Sequence, residues 1–153
     1  MRLSIELVPA TCWFSNVRSA VSKAQWDKIR RQVYKAAEHV CQICGGVGPR
    51  HPVECHEIWA YDDTNQIQKL VGMIALCPDC HQVKHFGFAR SRGKGELAMQ
   101  HFISVNGLTK KQAELYLHNA MVQWFERSQK QPWTLDISIL SEYGIDTDEI
   151  KGR

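Results

Sequence analysis

No stretch of this 153-residue chain reaches about 18 consecutive apolar residues, so it offers no candidate membrane-spanning helix. The first ten residues lack a secretory apolar core, because Glu6 and Pro9 interrupt it. There is no internal repeat and no low-complexity segment. A strong excess of one charge is also missing. Nineteen Lys and Arg against sixteen Asp and Glu leave a net charge of +3, which by itself says little about partners. The composition is 44% hydrophobic and 23% charged, ordinary for a globular chain long enough to bury a core. These absences read as a cytoplasmic protein, with residues 1–153 forming a single domain.

Charge of one sign is missing locally as well. Residues 81–95 hold Lys84, Arg90, Arg92 and Lys94 and no acid. Residues 23–35 hold Lys23, Lys28, Arg30, Arg31 and Lys35 against Asp27 alone. Acids collect after Ser141, at Glu142, Asp146, Asp148 and Glu149. A basic stripe of this kind suits a polyanion such as nucleic acid. The alternative is that these charges only solvate helix faces.

The cysteines are what is there. Four of the six form two Cys-x-x-Cys pairs, Cys41/Cys44 and Cys77/Cys80, and His81 follows directly. Each pair can place two thiolates on one ion, and two pairs complete a tetrahedral structural Zn2+ site. In a reducing compartment such pairs are metal ligands in preference to disulfides. Cys12 is expected to be buried and inert. His56 lies between the pairs, and His85 follows His81 by four residues, which puts both rings on one helix face. His39, His51, His101 and His118 have no spacing partner and are read as structural.

Local patterns place these motifs. Residues 2–8 alternate as a short strand, as do residues 133–139, and the two could pair. Ser22-x-x-Gln25 is a capping box that opens a helix, with Trp26, Ile29, Val33, Ala37 and Val40 as its core stripe and a stop near His39. Residues 52–59 and 67–76 read as strands. Pro78 sits in the first turn of a helix carrying Cys80, His81, Lys84 and His85. Residues 90–95 read as a basic loop. A helix follows from about residue 96 to Asn106-Gly107, and Thr109-x-x-Gln112 caps another. That last helix is expected to bury Ala113, Leu117, Ala120, Met121 and Trp124. The expected fold class is α+β: a zinc-stapled ββα core at 41–86, a treble-clef layout, with flanking helices at 22–40 and 94–128 and short terminal strands.

The run Leu76-Cys77-Pro78-Asp79-Cys80-His81, with His56 upstream and His85 downstream, resembles the HNH endonuclease family, in its zinc-knuckle, ββα-metal form. The resemblance covers about residues 41 to 86. It implies that His56 is the general base activating a water against phosphorus, and that His81 and His85 hold a second divalent ion (Mg2+, Mn2+, Ni2+ or Zn2+). Cys55 falls at a further ligand position, and Gly72 where the family has an Asn that orients the base. Glu54, Glu57, Asp62, Asp63 or Asn65 could substitute for that Asn. Lys84, Arg90, Arg92 and Lys94 would hold flanking phosphates.

The chemistry is coherent. Phosphodiester hydrolysis needs counter-charge for the transition state and a base, which a divalent ion and an imidazole can supply. The expected activity is therefore metal-dependent endonuclease cleavage of nucleic acid, double-stranded DNA foremost. Two alternatives stay open: a zinc-dependent module that binds nucleic acid without cutting, and a structural zinc module for protein interaction. Cys55 is either a ligand or a small buried side chain. Trp59 and Tyr61 are read as core.

Overall fold

A long antiparallel hairpin, β1 (Glu54–Asp62) and β2 (Ile67–Leu76), is the spine of the computed structural model, which describes residues 1–150. The turn is held by Asp62, whose Oδ1 accepts from the Thr64 and Asn65 N–H groups at 3.0 Å each. A register shift between Ile58 and Trp59 marks a bulge in β1. A third strand, β3 (Thr134–Asp136), pairs parallel with the start of β2, from Ile67 to Lys69. The fold is α+β, with this three-stranded sheet in the order β1-β2-β3.

Helices cover the sheet from both ends of the chain. α1 (Val17–Ala20) leads into α2 (Lys23–Ala36), which starts at the capping box read from the sequence. Ser22 Oγ accepts from Gln25 N at 3.1 Å, and Gln25 Oε1 accepts from Ser22 N at 2.8 Å. α2 stops at Ala36, short of the expected end, because Glu38 and His39 turn left-handed at φ 54° and 58°. This curl delivers the chain to Cys41, and Val40 is left exposed.

After β2, Pro78 opens α3 (Pro78–Lys84), where its missing N–H leaves no orphan donor. The helix breaks at His85 and resumes as α4 (Phe86–Ser91). His85 N still donates to His81 O at 3.1 Å, so the two rings keep their shared face. Arg90 therefore lies in a helix, and the basic turn begins only at Arg92. α5 (Gly95–Asn106) ends at Gly107 in the left-handed region, φ 64°. α6 (Lys110–Ser128) starts at the second capping box. Of its expected stripe Ala113 is buried, whereas Met121 is exposed.

Residues 2–8 form no strand. Their backbone is served by one side chain: Asn106 Oδ1 accepts from Arg2 N and Leu3 N at 3.0 Å, and its Nδ2 donates to Leu3 O at 2.7 Å. The segment is pinned by packing, with Leu3 and Ile5 in a core shared with Leu76, Val83, Phe86 and Phe102. β3 consequently has no N-terminal partner and pairs with β2 instead. A second core joins α1, α2 and the sheet through Val17, Ile29, Leu70 and Leu140. Trp59 packs against it, and Tyr61 stands edge-on to Trp133 at 5.6 Å. No helix among the described residues is long and apolar enough to cross a membrane.

Candidate metal centres

The curl after α2 and the entry to α3 bring four thiols together. Cys41 N donates to Gly46 O and Gly45 N to Cys41 O, both at 3.0 Å, so the backbone closes into a knuckle. Gly48 lets this knuckle approach α3: a Cβ there would meet His51 O at 2.3 Å and Pro78 Cδ at 2.7 Å. The sulfurs of Cys41, Cys44, Cys77 and Cys80 lie within 4.8 Å of one another. All six cysteines are free thiols. Such a set could hold a zinc ion.

Electrostatics fits that assignment. Burial opposes a Cys41 thiolate, but backbone N–H groups of Cys44, Cys77 and Ile43 outweigh it and bring the pKa down to about 7. Burial then pushes Cys77 up to about 11 and Cys80 higher still, with neighbouring thiolates adding to the rise. Four thiolates this close repel one another, and a doubly charged cation removes the conflict. Around the cluster, Gly46 N donates to Cys44 Sγ at 3.3 Å and His101 Nε2 lies 3.2 Å from Cys80 Sγ.

The second set is His56, His81 and His85, from β1, α3 and the residue that closes α3. One ring nitrogen of each lies within 4.8 Å of the others. Ring centroids are 5.3 Å apart for 56–81, 5.2 Å for 56–85 and 4.7 Å for 81–85. His81 Nε2 and His85 Nε2 are 3.1 Å apart. His56 is only 4% exposed. Its Nε2 sits 3.3 Å from Glu6 Oε2, while its Nδ1 is buried with no hydrogen-bond partner. A buried polar atom without a partner is costly, and three imidazoles this close together could share a divalent ion. These residues fit such an ion.

Carboxylates stand behind the rings. Glu54 Oε2 makes a short contact with His81 Nδ1, and its Oε1 lies 2.8 Å from His51 Nε2. Those imidazoles hold Glu54 well below the carboxylate range, at about 2, the His81 hydrogen bond being the main cause. Burial works against the Glu6 carboxylate, but hydrogen bonds from His56 and Lys84 bring it to about 2 as well. Desolvation lowers the pKa of His56, opposed by Glu6. His85 is pulled down to about 4 by the surrounding protein and then by the other two imidazoles, although its outer edge remains open to solvent. Rings with depressed pKa values are neutral at neutral pH, the state that binds metal.

Three residues that the resemblance placed at the site are elsewhere. Cys55 stands in neither ligand set. Adjacent strand residues face opposite ways, and with His56 on the histidine side Cys55 packs beside Val33, Tyr34 and Ala75. Burial pushes its thiol up to about 12. Lys84, expected at a phosphate, is 6% exposed. It lies where α3 meets the N-terminal segment, and its ammonium donates to Ser4 Oγ at 2.7 Å and Glu6 Oε1 at 2.8 Å. Arg90 is exposed but turns toward Met121, 3.7 Å from its sulfur. Arg92 and Lys94 do line a cleft of about 480 Å3 that includes Glu54, His81, His85 and Phe88.

Of the possible substitutes at the Gly72 position, Glu54 alone is seen in contact with this histidine set. Glu57 accepts from Arg18 N at 3.2 Å, Asp62 and Asn65 close the hairpin turn, and Asp63 pairs with Arg127 at 2.8 Å. Sequence reasoning missed Glu6, His51 and His101 as partners of the two centres. Comparison with protein-family models, with curated proteins and with solved structures returns no match to this chain.

Proposed function

We propose that the chain is a metal-dependent endonuclease of the HNH type, hydrolysing phosphodiester bonds of nucleic acid, DNA foremost. In this reading the knuckle, β1, β2 and α3 form the zinc-stapled ββα core of a treble clef. The observation that carries it is the convergence of His56, His81 and His85, with His56 Nδ1 buried and unpartnered.

His56, His81 and His85 would hold a divalent ion, which would supply positive charge to a phosphoryl group and acidify bound water. His56 would then be a third ligand, where the resemblance puts Cys55, in place of the general base that the resemblance makes it. Glu54 and Glu6 orient the rings of His81 and His56 by holding their other nitrogens. Arg92 and Lys94 hold the flanking phosphates from the adjoining cleft. A second reading, a module that binds nucleic acid without cutting, is favoured by Gly72. A Cβ built there would meet nothing within 4 Å, and glycine itself offers no amide to orient a base.

The test is plasmid nicking by zinc-loaded protein with added Mg2+, Mn2+, Ni2+ or Zn2+, beside metal counting. The nuclease reading expects cutting with at least one ion, a second exchangeable ion per chain, and loss of both in His56→Ala. If His56→Ala keeps the second ion but loses cutting, the residue is a base. If wild-type protein binds one ion and never cuts, the nuclease reading fails.

A further inference from the structure

Two clefts meet at Glu54 and His81. The first runs past Phe88 to Arg92 and Lys94. The second, about 700 Å3, is walled by α1 and α2 and reaches Arg18, Lys23, Trp26 and Arg30. We propose that this second cleft is a binding subsite for the nucleic-acid backbone, with Arg18 and Lys23 as its phosphate contacts and Trp26 as a face for a base. The subsite rests on the nuclease reading for its purpose, but not for its test.

Charge accounting selects the ligand. Arg30 is held by Asp27 at 2.8 Å and lies 6.0 Å from the Tyr34 ring centroid, so its charge is balanced and it shapes the wall. Glu54, the other acid of the cleft, is occupied by two imidazoles. Arg18 and Lys23 are exposed and form no salt bridge among the described residues. Arg92 and Lys94 in the first cleft share that condition. Each side of the histidine set thus carries two exposed cations without a salt bridge among the described residues, beside a ring: Arg92 lies 5.4 Å from the Phe88 ring centroid, and Trp26 is half-buried with one side packed on the second core. Such a pairing of cations and rings suits a nucleic-acid strand.

The placement of Lys23 adds a second argument. It is the first residue of α2, whose first turn holds no acid. A cation at the positive end of a helix dipole is unfavourable on its own, and a bound anion relieves it. The elements are also fixed in place: Ser22 and Gln25 cap α2, and Arg18 N is tied to Glu57 on β1. Lys23 and Arg18 therefore sit on anchored backbone beside the histidines.

The experiment is fluorescence anisotropy of a short labelled DNA duplex and an RNA hairpin with the zinc-loaded full chain, in calcium, across a salt series. The Arg18→Ala/Lys23→Ala variant is compared with wild type and with Arg92→Ala/Lys94→Ala. Zinc content and far-UV circular dichroism confirm that each variant is folded. The proposal expects about tenfold weaker binding for Arg18→Ala/Lys23→Ala on either probe, and a salt slope smaller by about two. Affinity within about twofold of wild type and an unchanged slope on both probes overturn it. The two readings separate. If Arg18→Ala/Lys23→Ala weakens binding while wild type never cuts, the subsite stands and the nuclease falls. If wild type cuts and only Arg92→Ala/Lys94→Ala weakens binding, the nuclease stands and the subsite falls.

Discussion

Glu54 is clasped between two imidazoles, with one oxygen on His81 Nδ1 and the other on His51 Nε2. This leaves His81 a single nitrogen, Nε2, to turn toward His85 and His56. The carboxylate fixes both tautomer and ring orientation, as outer partners of metal-binding histidines do.

In the proposed reading, removing that support weakens ion binding at the histidine set without unfolding the protein. Glu54→Ala is predicted to bind Mn2+ or Zn2+ at the histidine set about 10- to 100-fold more weakly, read by calorimetric titration. The four-cysteine site is separate and should keep its zinc in the same sample. An unchanged affinity would show that His81 holds its orientation by packing alone.

His101 is expected to act on the other centre. Its ring lies 3.2 Å from Cys80 Sγ and links α5 to the thiol cluster. A donor to a ligating sulfur stabilises the thiolate, so His101→Ala is predicted to release zinc about tenfold faster to a chromogenic chelator. Stripping the ion entirely should unfold the region, because zinc supplies on the order of 10 kcal/mol of apparent folding free energy in small modules. Loss of the far-UV signal on chelation is the readout.

Lys84 separates a structural role from a binding one. Its ammonium is buried against Glu6 and Ser4, and the Glu6 side chain keeps 36% of its surface in water. Truncating one partner of a fully buried pair costs about 3–5 kcal/mol, and the partial exposure of Glu6 brings the expected loss for Lys84→Ala to roughly 2 kcal/mol in urea unfolding. Because Lys84 cannot reach a substrate from this position, the variant should leave the salt slope of nucleic-acid binding unchanged.

Much of this was legible locally. The capping boxes at Ser22 and Thr109, Pro78 at the start of α3, and the full extent of β2 depend on neighbours within a few residues, and each is found in the structure. The Cys-x-x-Cys pairs and the His81/His85 spacing also carry their geometry in the chain. What was not legible depends on distant partners. Glu6 meets His56 across 50 residues, and Asn106 serves Leu3 across 103, with no pattern to announce either. For Cys55 the sequence left two placements open, ligand or small buried side chain, and the structure gives the second. A one-residue change of position on a strand flips the face, and nothing in the residues around 55 and 56 says which of the two looks toward α3.

The depressed histidines set an acid limit on stability. His85 falls from 6.5 to about 4 in the folded protein, and His56 shifts in the same direction. Between those values the unfolded chain binds the proton and the folded one does not, so stability falls as pH drops from about 6.5 toward 4. Glu6 and Glu54, at about 2 in the fold against 4.5, contribute stability that is present above 4.5 and is lost as pH falls to about 2. His85→Asn removes one titrating ring and leaves both carboxylates. Chemical denaturation from pH 7 to pH 5 should therefore show a shallower loss in His85→Asn than in wild type, with the histidine set kept free of metal and both proteins holding one zinc at the thiols so that proton competition there cancels. Parallel losses in the two proteins would mean that His85 titrates in the fold much as it does in the unfolded chain, its open edge keeping the ring hydrated.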